Sequence, residues 1–194
     1  MAPPPYPPSI AITYAGLAFF IPPGGQSDSQ YAGANMANGA SSVTLTGQPD
    51  STRGLKFSLV DANSSITAGI FSVTYLDQWG ASHTETHSIA NAGSHSWTTT
   101  YTAASIVSGG FTGVVGASVI DDSFSLGDTN TFQLPAPQGA SSFAVVRVTY
   151  GVGFGGSKNT LDSAPTVDAT LGTFIPNTAP NGSYYYQVDY TYSR

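Results

Sequence analysis

An all-β fold, either an antiparallel β-sandwich or a barrel-like relative of one, is what this sequence predicts, and three observations carry the prediction. Apolar and polar residues alternate with period two in run after run, while helical periodicity is hard to find. β-Branched and aromatic residues fill those runs, and aromatics make up 12% of the chain. Clusters of Gly, Pro, Asn, Asp and Ser separate them about every 8–12 residues, the spacing of turns between short strands.

The chain opens on a Pro-rich arm, residues 1–9, ahead of an apolar strand at residues 10–21 that ends at Pro22 and Pro23. Proline fixes φ and favours polyproline II, so the arm is expected to be extended and to lose little entropy on docking. Pro3, Pro4, Pro5, Tyr6, Pro7 and Pro8 are therefore candidates for contact with a neighbour. The first basic residue is Arg53, a poor match to a secretory leader, so the opening is expected to be retained. The apolar run is also shorter than the roughly 18–20 residues of a membrane-spanning helix.

Residues 42–46 alternate cleanly and read as a strand, and Gly47, Pro49 and Asp50 mark the turn after it. Residues 55–60 alternate again before a second turn at residues 61–64. Strands are then expected at residues 66–76, 83–89, 95–101 and 110–120. Asp121-Asp122 and Gly127-Asp128 bracket the next reversal, and residues 131–134 form a short strand ended by Pro135 and Pro137. Residues 142–151, 165–174 and 183–192 are three more strands, richer in aromatics.

The loose segments 22–39 and 135–139 suggest two parts. Residues 40–135 are expected to form one sandwich. Residues 10–39 plus 136–194 are expected to build a second β layer or subdomain from the N- and C-terminal strands. An isolated strand at residues 10–21 would expose backbone donors and apolar side chains, which is the physical motive for pairing it.

Only 8% of the chain is charged, against about 25% in ordinary soluble domains. Glu85 is the single glutamate, and Lys56 and Lys158 are the only lysines. A surface of Ser, Thr, Gly and Asn suits a protein packed against neighbours. A net charge of −6 with five scattered basic residues argues against nucleic-acid binding, which needs clustered cations to displace counterions. The absence of cysteine excludes disulfides, thiolate metal sites and a cysteine nucleophile.

His83, Glu85 and His87 fall at alternate positions, so one strand face would carry two imidazoles and a carboxylate, a legitimate set for zinc or iron. The competing expectation is an ordinary solvent face or a polar seam between subunits. Asp121, Asp122 and Asp128 suggest a calcium loop, but the spacing fails the EF-hand pattern and a solvated reversal is favoured. The Gly-rich stretch 151–156 lacks the Lys-Ser/Thr of a phosphate loop and reads as a strand end. Neither a nucleophile elbow nor a facing pair of carboxylates stands out, so no enzyme and no cofactor are expected. Alternation puts Tyr184, Tyr186, Val188, Tyr190 and Tyr192 on one face, which serves as core, as an interface or as a sugar platform.

The segments T-L-T-G-Q-P-D (residues 44–50), S-I-T-A-G (65–69) and D-Q-W-G-A (77–81) together resemble the head-decoration, or cement, proteins of tailed bacteriophages. Residues 51–54, S-T-R-G, depart from the Arg-rich link of many such sequences. The resemblance covers about residues 40–135. It implies a non-enzymatic virion protein on the capsid exterior, made in the host cytoplasm. Its partners would be the major capsid protein and itself, as a homotrimer, with neither nucleic acid nor membrane involved. The alternative from another class is a carbohydrate- or receptor-binding β module of a tail or fibre, motivated by the tyrosine face.

Overall fold

The computed structural model of the chain describes residues 12–20, 31–152 and 160–194. The Pro-rich arm, with Pro3, Pro4, Pro5, Tyr6, Pro7 and Pro8, lies outside the described residues. So does most of the Gly-rich stretch 151–156.

The protein is all-β, and its strands pair antiparallel in three sheets. The central sheet holds β2 (Ala32–Asn35), β3 (Arg53–Asp61), β6 (His95–Ala103), β8 (Asp122–Gln133), β11 (Thr166–Asp168) and β12 (Thr173–Ile175). Its order is β11-β12-β8-β3-β6, and β2 pairs with the first half of β8. A second sheet, β5-β4-β7, is built from β4 (Ala68–Leu76), β5 (Ser82–Ser88) and β7 (Ser105–Val115). The third, β1-β13-β9-β10, contains β1 (Thr13–Phe20), β9 (Ser141–Val152), β10 (Thr160–Leu161) and β13 (Tyr184–Ser193).

Period-two alternation decides what β3, β4 and β13 bury, while bulges shift the buried phase in β9 and along β7. The inward residues of β3 and β8 meet those of β4 and β7 in a first core centred on phenylalanines. Phe57 stacks on Phe71 with ring centroids 3.9 Å apart, and Phe111 and Phe124 close around them. A second core forms where Phe132, Leu134 and Phe174 meet Phe143, Val148, Tyr186, Val188 and Tyr190 of the third sheet. β8 runs through both, with Phe124 and Leu126 in the first core and Phe132 in the second. It is the spine that joins them.

Between the cores lies a buried polar knot. Arg53 and Asp128 are both fully buried, and their side chains pair at 2.7 Å. The Arg53 Nε donates to the Thr129 carbonyl, and the guanidinium sits 4.8 Å from the centre of the Phe132 ring. The Tyr31 hydroxyl donates to Asp128 at 3.0 Å. Burial first, and the adjoining Asp128 carboxylate second, push the Tyr31 phenol far up, so it stays a protonated donor. This knot corrects one expectation. Gly127 and Asp128 do not mark a reversal but stand in the middle of β8, because a buried arginine neutralises the aspartate.

Three other elements differ from the sequence reading. Residues 42–46 alternate as expected, with Val43 and Leu45 packed against the core, yet they form only an isolated bridge, Ser42 to Gly110. Their hydrogen bonds go separately to Gly109 and Tyr31 rather than into a ladder. The strand expected at 110–120 starts at Ser105 and stops at Val115. Residues 165–174 divide into β11 and β12, two short strands joined by a turn that the Asp168 carboxylate holds through the Thr170 and Leu171 amides.

β1 pairs with β13 over its whole length, and Gly16 lies opposite Tyr190. A Cβ at Gly16 would stand 2.3 Å from the Tyr190 ring, so only glycine lets that ring lie flat across the strand. The Tyr190 hydroxyl donates to the Pro135 carbonyl, tying the linker to this sheet. β2, in contrast, joins the first sandwich, where Tyr31 and Met36 on either side of it are buried.

Candidate functional site

β5 carries the histidine–glutamate pattern, and its alternation turns His83, Glu85 and His87 to the same half-buried face. Each is engaged differently. His83 Nε2 lies 2.9 Å from Asp77 Oδ2, and its ring stacks between Tyr75 and Tyr101. Burial alone would raise the Asp77 carboxyl. His83 and the amides of Trp79 and Ala81 outweigh it and hold the group below its usual range. Glu85 accepts from the Tyr75 hydroxyl at 2.5 Å and from the Thr100 amide at 2.9 Å. His87 stacks on Trp97. The face therefore binds β5 to β4 and β6 through three separate contacts, and among the described residues no group of three metal-ligating side chains forms.

Burial lowers the His87 pKa below its ordinary 6.5, with Glu85 opposing. The unfolded chain therefore takes up a proton at a higher pH than the folded one. The associated stability is complete above about pH 6.5 and declines as pH falls from there toward the depressed folded value. Urea midpoints measured from pH 7.5 to 5.5 should show this decline, and His87→Gln should flatten it.

On β13, Tyr186 and Tyr190 point into the second core and are almost wholly buried. They cannot offer area to a partner in this fold. Tyr184 and Tyr192 are half-buried and pack at the margins of that core, against Tyr150 and Phe143 respectively. The tyrosine face is thus chiefly core.

Two surface features remain. One is a threonine-lined groove. Thr98, Thr100 and Tyr101 of β6 edge a recess that runs past Thr131 and Thr173 and continues beside Thr166 and Asp168. Tyr101 is exposed at its rim. Threonine hydroxyls and an aromatic edge on a concave surface that Val167, Leu171 and Ile175 also line suit a ligand with both hydroxyls and apolar faces, such as a sugar. The run T-T-T-Y-T at residues 98–102 was its only local signal, because the opposite wall comes from strands distant in sequence.

The other feature is β1. Among the described residues it pairs on one side only, with β13, and it is the edge of its sheet. Its eight residues, TYAGLAFF, carry neither charge nor proline. Tyr14 and Leu17 are exposed, as is Ile12 just before the strand. Natural sheets usually blunt such an edge with lysine, proline or a bulge.

Comparison with known proteins finds no matching family model, no matching curated protein and no matching solved structure.

Proposed function

We propose that this chain is a virion structural protein that binds the outer surface of a phage capsid and cements neighbouring capsid subunits, acting as a homotrimer and catalysing no reaction. The observation that carries the reading is the uncharged edge of β1 with Leu17 and Tyr14 exposed on it. A strand edge of this kind recruits a partner by backbone hydrogen bonds, and its side chains add apolar burial at about 25 cal/mol per Å². The likeness of residues 44–50, 65–69 and 77–81 to decoration proteins supports the same reading. Symmetric copies would engage several capsid subunits at once, which raises apparent affinity without new contacts.

The test is saturable co-sedimentation of the purified protein with undecorated phage capsids, together with its mass by native mass spectrometry. Leu17→Lys places a charge on the exposed edge, at a residue that belongs to neither core. It should abolish co-sedimentation and change stability by no more than about 0.5 kcal/mol. Undiminished decoration by that variant would remove β1 from the interface.

The threonine groove favours a second reading, a carbohydrate-binding β module of a tail or fibre. Saturable binding to a glycan array without capsid binding would establish it in place of the first. Thr100→Val and Thr131→Val should then remove glycan binding.

A further inference from the structure

We infer that the far end of the first sandwich is a calcium site built on Asp61 and Asp122. Asp61 closes β3, Asp122 opens β8, and the register pairs them directly across the sheet. Each follows the inward alternation of its strand, Asp61 after Leu59 and Asp122 before Phe124, so both carboxylates point between the sheets. Directly opposed residues place their Cβ atoms about 4.5–5.5 Å apart. Both aspartates are 2% exposed.

One oxygen of each carboxylate is accounted for. Asp61 Oδ1 accepts the Ser65 amide at 2.9 Å, and Asp122 Oδ2 accepts the Ser118 amide at 2.8 Å. Ser65 also spans the pair, its hydroxyl lying 3.4 Å from Asp122 Oδ2. The other two oxygens, Asp61 Oδ2 and Asp122 Oδ1, are buried and have no hydrogen-bond partner. Among the described residues no lysine, arginine or histidine forms an ion pair with either aspartate. Arg53, at the opposite end of β3, serves Asp128 instead.

Two buried carboxylates side by side repel one another and have lost their water, a cost that a divalent cation bridging the two orphan oxygens removes. The side-chain and carbonyl donors that the hydrogen bonds place there are hard oxygens: the carboxylates, the Ser65 hydroxyl, and the Gly116 carbonyl that accepts from it at 2.8 Å. Neither thiolate nor imidazole is among them, which selects against zinc and copper. Calcium takes six to eight oxygens at about 2.3–2.6 Å in irregular geometry, whereas magnesium demands an octahedron and retains several waters. A buried, asymmetric corner fits calcium.

The backbone around the site is closely set. Gly116 has φ +92°, and a Cβ there would come within 2.1 Å of the Ser65 carbonyl oxygen. The turn after β3 and the connection after β7 therefore meet over the two aspartates. A cation there would fasten both to the end of the sheet. Spacing along the chain groups Asp122 with Asp121 and Asp128 and favours a solvated reversal, whereas the sheet register sets Asp122 opposite Asp61 and buries both.

The experiment uses the full chain, stripped with EDTA and dialysed against buffered CaCl2, with elemental analysis and thermal melting as readouts. One calcium per chain is expected. Tm should rise by roughly 5–10 °C when calcium is a hundredfold above its dissociation constant. Equimolar MgCl2 should give a much smaller rise. Asp61→Asn and Asp122→Asn keep an acceptor oxygen for the Ser65 and Ser118 amides but halve the charge, and each should abolish the calcium-dependent rise. The inference is overturned if the wild-type chain retains no calcium and melts alike in EDTA and CaCl2. It is equally overturned if a folded Asn variant binds calcium as tightly as wild type. Should a variant fail to fold, the wild-type stoichiometry and melting shift decide the matter alone.

Discussion

Arg53→Met should lower the stability of the folded chain by about 3–5 kcal/mol, the range for breaking a buried ion pair from one side. The methionine fills much of the volume, so the loss is electrostatic. It takes the guanidinium, paired at 2.7 Å, away from the fully buried Asp128 carboxylate, which the Tyr31 hydroxyl continues to contact. It also takes a donor from the Thr129 carbonyl, at the point where β8 passes from one core to the other. The double variant Arg53→Met/Asp128→Leu should recover part of the loss, since replacing both charges removes the uncompensated one. Urea midpoints for the two singles and the double would measure the coupling. A single variant as stable as wild type would show that the pair does not hold the junction.

Phe57→Ala is the second large effect, with an expected cost of about 3–5 kcal/mol. Phe57 lies at the centre of the first core, stacked 3.9 Å from Phe71 and flanked by Trp97, Phe111 and Phe124. Its removal opens a cavity between two sheets that cannot close without moving both. Phe57→Leu should cost far less, because it keeps most of the volume. Trp97 stacks on Phe57 at 5.3 Å, so its fluorescence reports directly on the unfolding of this core. Equal stability of the Ala and Leu variants would mean that the core collapses around the void.

Much of the fold was legible because its signals are local. In β3 and β13 the period-two pattern names both the strand and its buried face, whereas in β9 it names the strand but a bulge at Val146 shifts the buried phase; in all three the observed bounds fall within two residues of the expected ones. The tyrosine run is the clearest case, since alternation alone put Tyr186, Val188 and Tyr190 together, and together they are buried. The pattern at residues 42–46 shows the limit. Its alternation is real, and Val43 and Leu45 do face inward, but alternation does not say whether a ladder partner exists.

What the sequence by itself determined, then, is an all-β chain, the approximate position of its strands and the inward face of most of them. Period two and turn chemistry depend only on near neighbours along the chain. What the tertiary structure alone decided is which charges meet. Gly127-Asp128 read as a turn until Arg53 was brought against it from β3, and Asp122 read as solvated until register set it opposite Asp61 and buried both. An aspartate in a strand is improbable until it has a partner, and that partner lies on another strand. Sheet register therefore determines whether such a residue is a turn, a buried ion pair or a cation ligand.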